Sequence, residues 1–235
     1  MGNLKSKELS FKKVMLITIF ITLFFMLGGY LHQYTFLSLI PYEINEIDVW
    51  PNVWKIIWAG LAFIFITYYN HQLPISINEM FNFKKINFKI IFAVLFVIAL
   101  IDLAYSLIIC KSISVPSDFN FFKSTTTYFF VGLTEEIVFR GWAMNAFSKV
   151  TSIRKANIIQ SVFFMLEHLL PWFLIFLMGG NLSDIPLSFL YIQLPYCIVF
   201  GCILGRIFNK THCLWITILI HCFNDVIATF FNVAG

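Results

Sequence analysis

Long runs of apolar residues alternate with short polar segments along this chain, and seven of these runs are long enough to cross a bilayer. A spanning helix needs about 20 predominantly apolar residues. The runs are Val14–Leu31, Val49–Tyr69, Ile90–Cys110, Tyr128–Phe147, Ala156–Met178, Leu187–Phe208 and Cys213–Val233. The pattern predicts an all-α fold, a polytopic transmembrane helix bundle of about seven spans. Pro171 leaves open a re-entrant or split fifth segment.

The composition supports a membrane protein and limits its domain organisation. Hydrophobic residues make up 60% of the 235 residues and charged residues only 12%, and the mean hydropathy is +0.84. Soluble domains are about 45–50% apolar and about 25% charged. Because the chain has no long polar run, we expect a single transmembrane domain over residues 1–235 and no separate soluble domain.

Basic residues cluster in alternate loops, and this distribution predicts the orientation of the chain in the membrane. They lie before the first run and after the second, fourth and sixth, at Lys5, Lys7, Lys12, Lys13, Lys84, Lys85, Lys89, Lys149, Arg154, Lys155, Arg206 and Lys210. The other loops hold only Lys111 and Lys123. The positive-inside rule therefore predicts a cytoplasmic N-terminus and, with seven spans, a C-terminus outside. Since no polar segment combines a basic patch with stacking aromatic residues, we expect no nucleic-acid partner.

The fourth run carries three charged residues, Glu135, Glu136 and Arg140, in a segment otherwise suited to lipid. On an insertion scale each such charge costs about 2.5–3.5 kcal/mol, whereas each Leu, Ile, Val or Phe gains about 0.3–0.6 kcal/mol. The helix must therefore turn its charged face toward the bundle interior or a wet cavity. Glu136 and Arg140 are four residues apart and are expected to pair. Glu135, about 100° away around the helix, is expected to be free and to suit a general base or acid. An ion cluster that holds helices together is the alternative interpretation.

The fifth and third runs also carry polar residues within apolar surroundings. In the fifth run, Phe164 and His168 are four residues apart and share a helix face, and Glu167 is expected to look away from that face. A buried histidine of this kind is either a hydrogen-bonded packing residue or part of a site. In the third run Asp102 stands alone, and its role is left open between structure and function.

The seventh run places His221 and Asp225 on one helix face, with Asn224 beside them. Each of these signals is weak when taken singly. Together, the fifth and seventh runs add two imidazoles, a carboxyl group and an amide to the glutamates of the fourth run. Polar groups from three apolar helices indicate a shared intramembrane site.

These residues resemble the motifs of the CAAX protease and bacteriocin-processing (CPBP) family of intramembrane proteases, also called the Abi family. The resemblance covers about residues 125–235, which we expect to form the catalytic core. Its motifs are E-E-x-x-x-R at Glu135, Glu136 and Arg140, F-x-x-x-H at Phe164 and His168, and H-x-x-x-N/D at His221 and Asp225. Gly201-x-x-x-Gly205 also looks like the small-residue packing motif often found in the preceding span.

The resemblance implies a glutamate-dependent endopeptidase that uses neither a metal nor another cofactor. Glu135 and His168 match the residues that activate water, and His221 and Asp225 match those that hold the carbonyl oxygen as it becomes negative. Better-studied members carry Asn in place of Asp225. Because an ionised Asp would repel an oxyanion, Asp225 is expected either to be protonated or to orient His221. Asn224 is the alternative donor.

The resemblance also bears on substrate and location. It allows the C-terminus of a lipidated protein, a peptide precursor or a bacteriocin-related target as the substrate. We expect a multi-pass protein of a bacterial cell membrane, in contact with membrane lipid.

Three other functions fit part of the pattern. A zinc metalloprotease would use His168, His221 and a glutamate as ligands, although the chain has no H-E-x-x-H pair. A proton-coupled transporter would use the same residues as a relay, but it predicts an internal repeat, and the first three runs hold almost no ionisable residues. A non-catalytic immunity or scaffold protein would have no need for an intact set of polar residues.

Overall fold

The chain folds as a bundle of helices with one short hairpin before the second helix. The computed structural model describes residues 8–44, 47–111, 115–117, 119–177, 179–181 and 185–231. The helices are α1 (Phe11–Tyr34), α2 (Val49–Tyr69), α3 (Ile77–Met80), α4 (Phe88–Tyr105), α5 (Phe121–Glu136), α6 (Asn145–Val150), α7 (Ile153–Leu177), α8 (Leu194–Thr211) and α9 (Leu214–Phe230). Strands β1 (Glu43–Ile44) and β2 (Ile47–Asp48) pair in antiparallel fashion.

Short π-helical and 3₁₀ segments extend or connect several of these α-helices. Segments of π-helix cover Ser106–Cys110, Ile137–Met144 and Phe189–Gln193, and 3₁₀ turns cover Phe36–Leu39 and Phe83–Lys85. The segment Ile137–Met144 joins α5 to α6, so residues 121–150 form one continuous helical rod. Single π-helical turns are rare and are frequently found at functional sites. This one begins directly after the two glutamates.

The helices confirm the all-α polytopic bundle and agree with about seven spans. Five of them are long and apolar enough to cross a membrane, at Phe11–His32, Val49–Tyr69, Phe88–Ile108, Ile153–Leu177 and Phe189–Thr211. Helix α9 is a shorter apolar helix, and the rod over residues 121–150 carries the charged trio. Outward-facing phenylalanines such as Phe92, which is 68% exposed, are compatible with lipid contact.

The ends of the helices differ from the predicted runs in a few places. Helix α5, which covers the start of the fourth predicted run, begins at Phe121 rather than near Tyr128. The Asn120 side chain accepts a hydrogen bond from the backbone N–H of Lys123 and caps the helix there. Pro171 lies inside an unbroken α7, so the fifth segment is not split. The predicted run ends Met178 and Val233, and the basic residues Lys5 and Lys7, lie outside the described residues.

Helix packing places the charged rod at the centre of the bundle. Helix α5 packs along α9, the π-helical segment Ile137–Met144 packs against α2 and α7, and α7 packs along α8. Small residues permit the close approach of α7 and α8, as the G-x-x-x-G spacing predicts. A Cβ added at Gly201 would lie 3.1 Å from the Ser161 side chain, and one at Gly205 would collide with Asn157.

Candidate active site

The three sequence motifs meet inside the bundle around the imidazole of His221. Its Nδ1 lies 2.8 Å from Oε1 of Glu136, and its Nε2 lies 3.7 Å from Oε2 of Glu135 and 3.8 Å from Oδ2 of Asp225. The rings of Phe164 and His221 are 5.7 Å apart and meet edge to face. Residues from α5, α7 and α9 are therefore in contact, although they are far apart in the sequence.

Glu136 and Arg140 form the expected ion pair. Nη1 of Arg140 donates to Oε1 of Glu136 over 2.7 Å, and both side chains are fully buried. Nη2 of Arg140 also donates to the Gly201 carbonyl of α8 over 3.4 Å, and its guanidinium lies 4.8 Å from the centre of the Phe164 ring. The guanidinium thus connects α5, α7 and α8.

Glu136 has a second role that the spacing alone did not indicate. Its carboxylate is paired with Arg140 and can only accept hydrogen bonds, so Nδ1 of His221 must be the donor in the 2.8 Å contact. This hydrogen bond fixes the tautomer and the orientation of the ring. The Nε2 atom of His221 is then directed toward Glu135 and Asp225. The ring is oriented by Glu136, and Asp225 is too distant from it for a direct hydrogen bond.

Glu135 is not the partner of Arg140, as expected, but the expectation that it is free is wrong. Nζ of Lys55, on α2, lies 2.5 Å from Oε1 of Glu135. The other oxygen, Oε2, is buried and has no hydrogen-bond partner among the described residues. One oxygen of the carboxylate is therefore held by Lys55, and the other is buried with its hydrogen-bonding capacity unused by the described residues.

His168 lies on the same face of α7 as Phe164, in agreement with the prediction, and their rings are 4.9 Å apart. Its Nδ1 lies 3.0 Å from the Phe164 carbonyl oxygen and 3.0 Å from Oε2 of Glu167. Both neighbours are acceptors, so Nδ1 carries the hydrogen. The ring also forms a side-chain hydrogen bond with Cys197 of α8.

The expectation that Glu167 looks away from the site is wrong. Its side chain is buried and contacts the His168 ring. Helix α7 packs against α1, α6, α8 and the π-helical segment Ile137–Met144, so a residue about 100° from His168 on the helix still points into the bundle. Glu135, Glu167 and His168 each offer one potential ligand atom for a metal ion. These three atoms all lie within 4.8 Å of one another. Among the described residues, this is the group that could hold a metal ion, and it does not include His221.

Asn224 and Asp225 form a short polar chain with a residue of α8. Nδ2 of Asn224 donates to Oδ1 of Asp225 over 2.9 Å. The hydroxyl group of Tyr196 donates to Oδ1 of Asn224. Both ends of the Asn224 amide are therefore fixed, which leaves its second Nδ2 hydrogen in a defined direction.

Sequence reasoning missed three of the groups in this site. Lys55 stands in a run without a recognised motif, and Tyr196 lies in the sixth run but outside its G-x-x-x-G spacing. Glu167 was expected to look away from the face of Phe164 and His168. A lysine in the middle of an apolar span was the signal that could have identified Lys55, since such a charge needs an interior partner. Asp102 is also buried, and its Oδ2 has no hydrogen-bond partner within the described ranges. No hydrogen bond between described residues connects Asp102 to the candidate active site.

The charges of the site are concentrated and buried. Two cations, Lys55 and Arg140, and two imidazoles face four carboxylates, those of Glu135, Glu136, Glu167 and Asp225. Such groups are costly to bury unless they are paired. A cluster of this composition can bind and release protons within an apolar bundle.

Comparison with known proteins agrees with this geometry. Residues 116–227 match the Rce1-like family model, which describes a Type II CAAX prenyl endopeptidase. The matched segment contains all three motifs, so the resemblance to this family of intramembrane proteases is confirmed over the C-terminal half of the chain. At the level of the family, the match indicates a CAAX-type intramembrane protease. No curated protein and no solved structure matches the chain.

Proposed function

We propose that this chain, with its Rce1-like C-terminal half, is an intramembrane endopeptidase that hydrolyses a peptide bond of a membrane-associated protein or peptide precursor. The observation that supports this most directly is the state of Glu135. Its Oε1 is bonded to Lys55, and its Oε2 is buried, lacks a hydrogen-bond partner among the described residues and lies 3.7 Å from Nε2 of His221. A general base needs such an oxygen beside the reacting atoms.

Glu135 and His168 activate water in this proposal. Oε2 of Glu135 accepts a proton as the water oxygen forms a bond to the carbonyl carbon of the substrate. The carbon–nitrogen bond then breaks, and the same carboxyl group returns the proton to the leaving amine. Each transfer contributes about 10²–10⁴-fold. His168 positions the water through Nε2, since its Nδ1 is occupied by Phe164 and Glu167. The water replaces the weak thiol contact of Cys197 with this ring.

The carbonyl oxygen becomes negative in this step and needs donors. His221 donates through Nε2 when the ring is protonated, and Asn224 donates through its second Nδ2 hydrogen. Asp225 accepts from the other hydrogen of that amide over 2.9 Å and so orients it. This arrangement gives Asp225 a role as the acceptor that orients the Asn224 donor. One such donor is worth about 10²–10³-fold in kcat.

Lys55 is a positioning residue in this mechanism. Its contact with Oε1 over 2.5 Å fixes the carboxylate plane and leaves the lone pairs of Oε2 for the water. Lys55 lies outside the segment that matches the family model. The first half of the chain therefore contributes a residue to the proposed site.

Substrate and location remain part of the proposal. A lipidated protein C-terminus, a peptide precursor and a bacteriocin-related target all agree with the family-level assignment. The basic residues in alternate loops support an N-terminus in the cytoplasm. A bacterial cell membrane is the location that the resemblance suggests. Membrane lipid is the expected surrounding, and no nucleic acid is expected to bind.

The test is a cleavage assay on the purified protein in lipid nanodiscs with a panel of membrane-associated peptides. Wild type is compared with Glu135→Gln, which keeps the shape of the side chain but removes the base, and with Glu79→Gln, a glutamate outside the site. We expect products by mass spectrometry from wild type and Glu79→Gln and none from Glu135→Gln. Equal cleavage by Glu135→Gln would overturn the general-base assignment.

A zinc metalloprotease is the second candidate, and the grouping of Glu135, Glu167 and His168 favours it. Two carboxylates and an imidazole are ligands that zinc accepts. The glutamic mechanism predicts full activity after dialysis against a strong chelator. Activity that is lost on chelation and restored by Zn²⁺ would select the metalloprotease.

A further inference from the structure

A fully buried glutamine of α7, Gln160, is bonded to α8. Its Nε2 lies 2.9 Å from the Gly201 carbonyl oxygen, 2.8 Å from Oγ of Ser161 and 3.0 Å from Oδ1 of Asn157. An amide nitrogen carries two hydrogens, and both have acceptors within reach here. The donor end of this side chain is therefore held in place. Gln160 belongs to none of the three sequence motifs.

The acceptor end of Gln160 is in the opposite state. Its Oε1 is buried and has no hydrogen-bond partner among the described residues. A buried polar atom without a partner costs free energy, and an apolar side chain of similar shape would fill this position without that cost. Packing of α7 on α8 therefore does not account for a glutamine at this position. An explanation has to come from the contacts of Nε2.

The Gly201 carbonyl is the point at which Gln160 meets the candidate active site. Nη2 of Arg140 donates to the same oxygen over 3.4 Å, whereas Nε2 of Gln160 is 2.9 Å away. Because this carbonyl lies within α8, the backbone N–H of residue 205 is a third donor to it. A carbonyl oxygen has two lone pairs, so the donors compete and Arg140 makes the longer side-chain contact. Gln160 thus limits how far the guanidinium turns toward α8.

From Arg140 the contacts continue to the imidazole of His221. Nη1 of Arg140 donates to Oε1 of Glu136 over 2.7 Å, and the same oxygen accepts from Nδ1 of His221 over 2.8 Å. A guanidinium that turned toward Gly201 would draw Nη1 away from Oε1 and change the second hydrogen bond of that oxygen. The ring of His221, whose Nε2 is an oxyanion donor in the proposed mechanism, would then lose its orientation.

Glycines of α8 provide the space for this arrangement. A Cβ at Gly205 would lie 2.7 Å from Nε2 of Gln160 and 2.0 Å from Oδ1 of Asn157. One at Gly201 would lie 3.1 Å from Oγ of Ser161. The G-x-x-x-G spacing therefore brings α8 close to α7 and also leaves room for two side-chain amides between them.

We propose that Gln160 is a positioning residue for the candidate active site, which holds the Gly201 carbonyl and so keeps Arg140 on Glu136 and the His221 ring in its reactive orientation. The inference rests on the proposed endopeptidase function and adds a residue that acts on the oxyanion donor through three others.

Gln160→Met tests this role, since it keeps the length of the side chain and removes the donor. We expect kcat per folded molecule to fall by about 10–100-fold, the range found for residues that orient the groups of a site. KM should stay nearly unchanged, because the lost alignment serves the transition state rather than substrate binding. Both constants are measured on a cleaved peptide in lipid nanodiscs.

A spectroscopic measurement separates positioning from a structural role. Protein labelled with ¹⁵N at histidine is studied in nanodiscs by NMR, and the Nδ1 and Nε2 signals of His221 are identified by their loss in His221→Ala. In Gln160→Met we expect both signals to shift, because the hydrogen bond from Nδ1 to Glu136 changes. Wild-type signals in this variant would overturn the proposal even if kcat had fallen.

Two control variants match the change in chemistry and the change in stability. Gln193→Met makes the same substitution at an exposed glutamine, and kcat and the His221 signals should equal those of wild type. Phe208→Leu alters a fully buried apolar side chain of α8. It should lower Tm while leaving kcat per folded molecule and the His221 signals unchanged.

The outcomes keep this inference separate from the proposed function. Cleavage that needs Glu135 but proceeds equally in Gln160→Met supports the endopeptidase and overturns the positioning role. If wild type cleaves no peptide, the endopeptidase fails, and the His221 signals of Gln160→Met still decide whether Gln160 orients the ring. Should Gln160→Met give no folded protein, the same measurements on Gln160→Asn decide, because its amide is one carbon shorter and reaches less far toward Gly201. Unchanged kcat and unchanged signals in that variant would overturn the proposal.

Discussion

Lys55 and Glu135 form an ion pair between α2 and the central rod, with Nζ and Oε1 2.5 Å apart, although 80 positions separate them in the chain. The side chain of Lys55 is 18% exposed and that of Glu135 is 3% exposed. The pair connects the half of the chain without recognised motifs to the half that carries them. It also determines which oxygen of Glu135 is left without a hydrogen-bond partner among the described residues.

Replacing Lys55 tests whether this contact positions the carboxylate. Lys55→Met keeps much of the side-chain shape but leaves Glu135 without its cation, and we expect kcat to fall by about 10²-fold, as for a catalytic group that moves by about 1 Å. Lys55→Arg retains the charge and should recover part of the activity. The measurement is kcat and KM on a cleaved peptide, with Tm to detect unfolding.

The control for this pair of variants is Lys84→Met, which removes a charge from an exposed lysine outside the site. A purely structural role for Lys55 would lower Tm and yield while leaving kcat per folded molecule unchanged. Equal kcat for Lys55→Met and wild type would show that Glu135 does not depend on Lys55.

Glu136 and Arg140 should contribute to stability and to activity in different ways. Breaking a buried pair leaves an uncompensated charge and costs about 3–5 kcal/mol, so Glu136→Gln and Arg140→Met should each reduce the amount of folded protein. The double variant removes both charges and should recover part of the yield. It should nevertheless stay impaired in catalysis, because the 2.8 Å hydrogen bond from His221 to the Glu136 carboxylate is replaced by a weaker one.

Gel filtration and thermal unfolding measure the first effect, and kcat per folded molecule measures the second. Single variants that fold as well as wild type would contradict the structural role of the pair. A double variant with full activity would show that the His221 ring needs no carboxylate.

The side chains that pair or share a face within one helix could be predicted from the sequence. The pairing of Glu136 with Arg140 and the shared face of Phe164 and His168 follow from a spacing of four residues, and the structure confirms both. The all-α class followed from the length and apolarity of the runs. These conclusions depend only on helix geometry and on the cost of burying charge in lipid.

The side-chain contacts between different helices could not be predicted in the same way. Lys55 meets Glu135 and Tyr196 meets Asn224 because of how whole helices pack, which the spacing of residues does not encode. Glu167 was expected to look away from the face of Phe164 and His168, but it is buried beside His168 because α7 has neighbours on several sides. Helix α5 starts earlier than the fourth apolar run because Asn120 caps it.

Outside the spans, Glu79 provides a test of stability against pH. Its Oε1 accepts hydrogen bonds from Nζ of Lys85 over 2.7 Å and from Nδ1 of His212 over 2.9 Å. The hydrogen bond from Lys85, followed by that from His212, lowers the pKa of Glu79 from its ordinary value of 4.5. A carboxyl group with a lower pKa in the folded protein stabilises it above the unfolded pKa, and this contribution is lost as pH falls through the folded value.

We therefore expect Glu79→Gln to lower stability slightly at pH 7, by about 0–1 kcal/mol, since Glu79 is partly exposed and solvent screens the pair. The difference from wild type should disappear as the pH falls below about 4. Thermal unfolding of both proteins between acidic and neutral pH provides the measurement. A difference that grows toward acidic pH would contradict the assignment.

His221 and Asp225 should respond differently to substitution. Asp225→Asn retains an oxygen that accepts from Nδ2 of Asn224, a contact of 2.9 Å in this structure, so substantial activity should remain. His221→Ala removes a donor to the oxyanion, and kcat should fall by about 10²–10³-fold. Turnover of the two variants on one peptide provides the comparison. If Asp225→Asn loses as much activity as His221→Ala, the carboxylate itself takes part in the reaction.

Glu167 distinguishes the glutamic mechanism from a metal-dependent one. In the glutamic mechanism, Glu167 accepts a hydrogen bond from Nδ1 of His168 over 3.0 Å, and the amide oxygen of Glu167→Gln can accept it too, so much of the activity should survive. In a metalloprotease, Glu167 would be a ligand together with Glu135 and His168, and losing one of three ligands would release the ion. Metal content by elemental analysis and turnover should be measured on wild type, Glu167→Gln and His221→Ala, since His221 lies outside this group. A stoichiometric metal in wild type that is lost with activity in Glu167→Gln, but retained in His221→Ala, would replace the glutamic mechanism with the zinc mechanism.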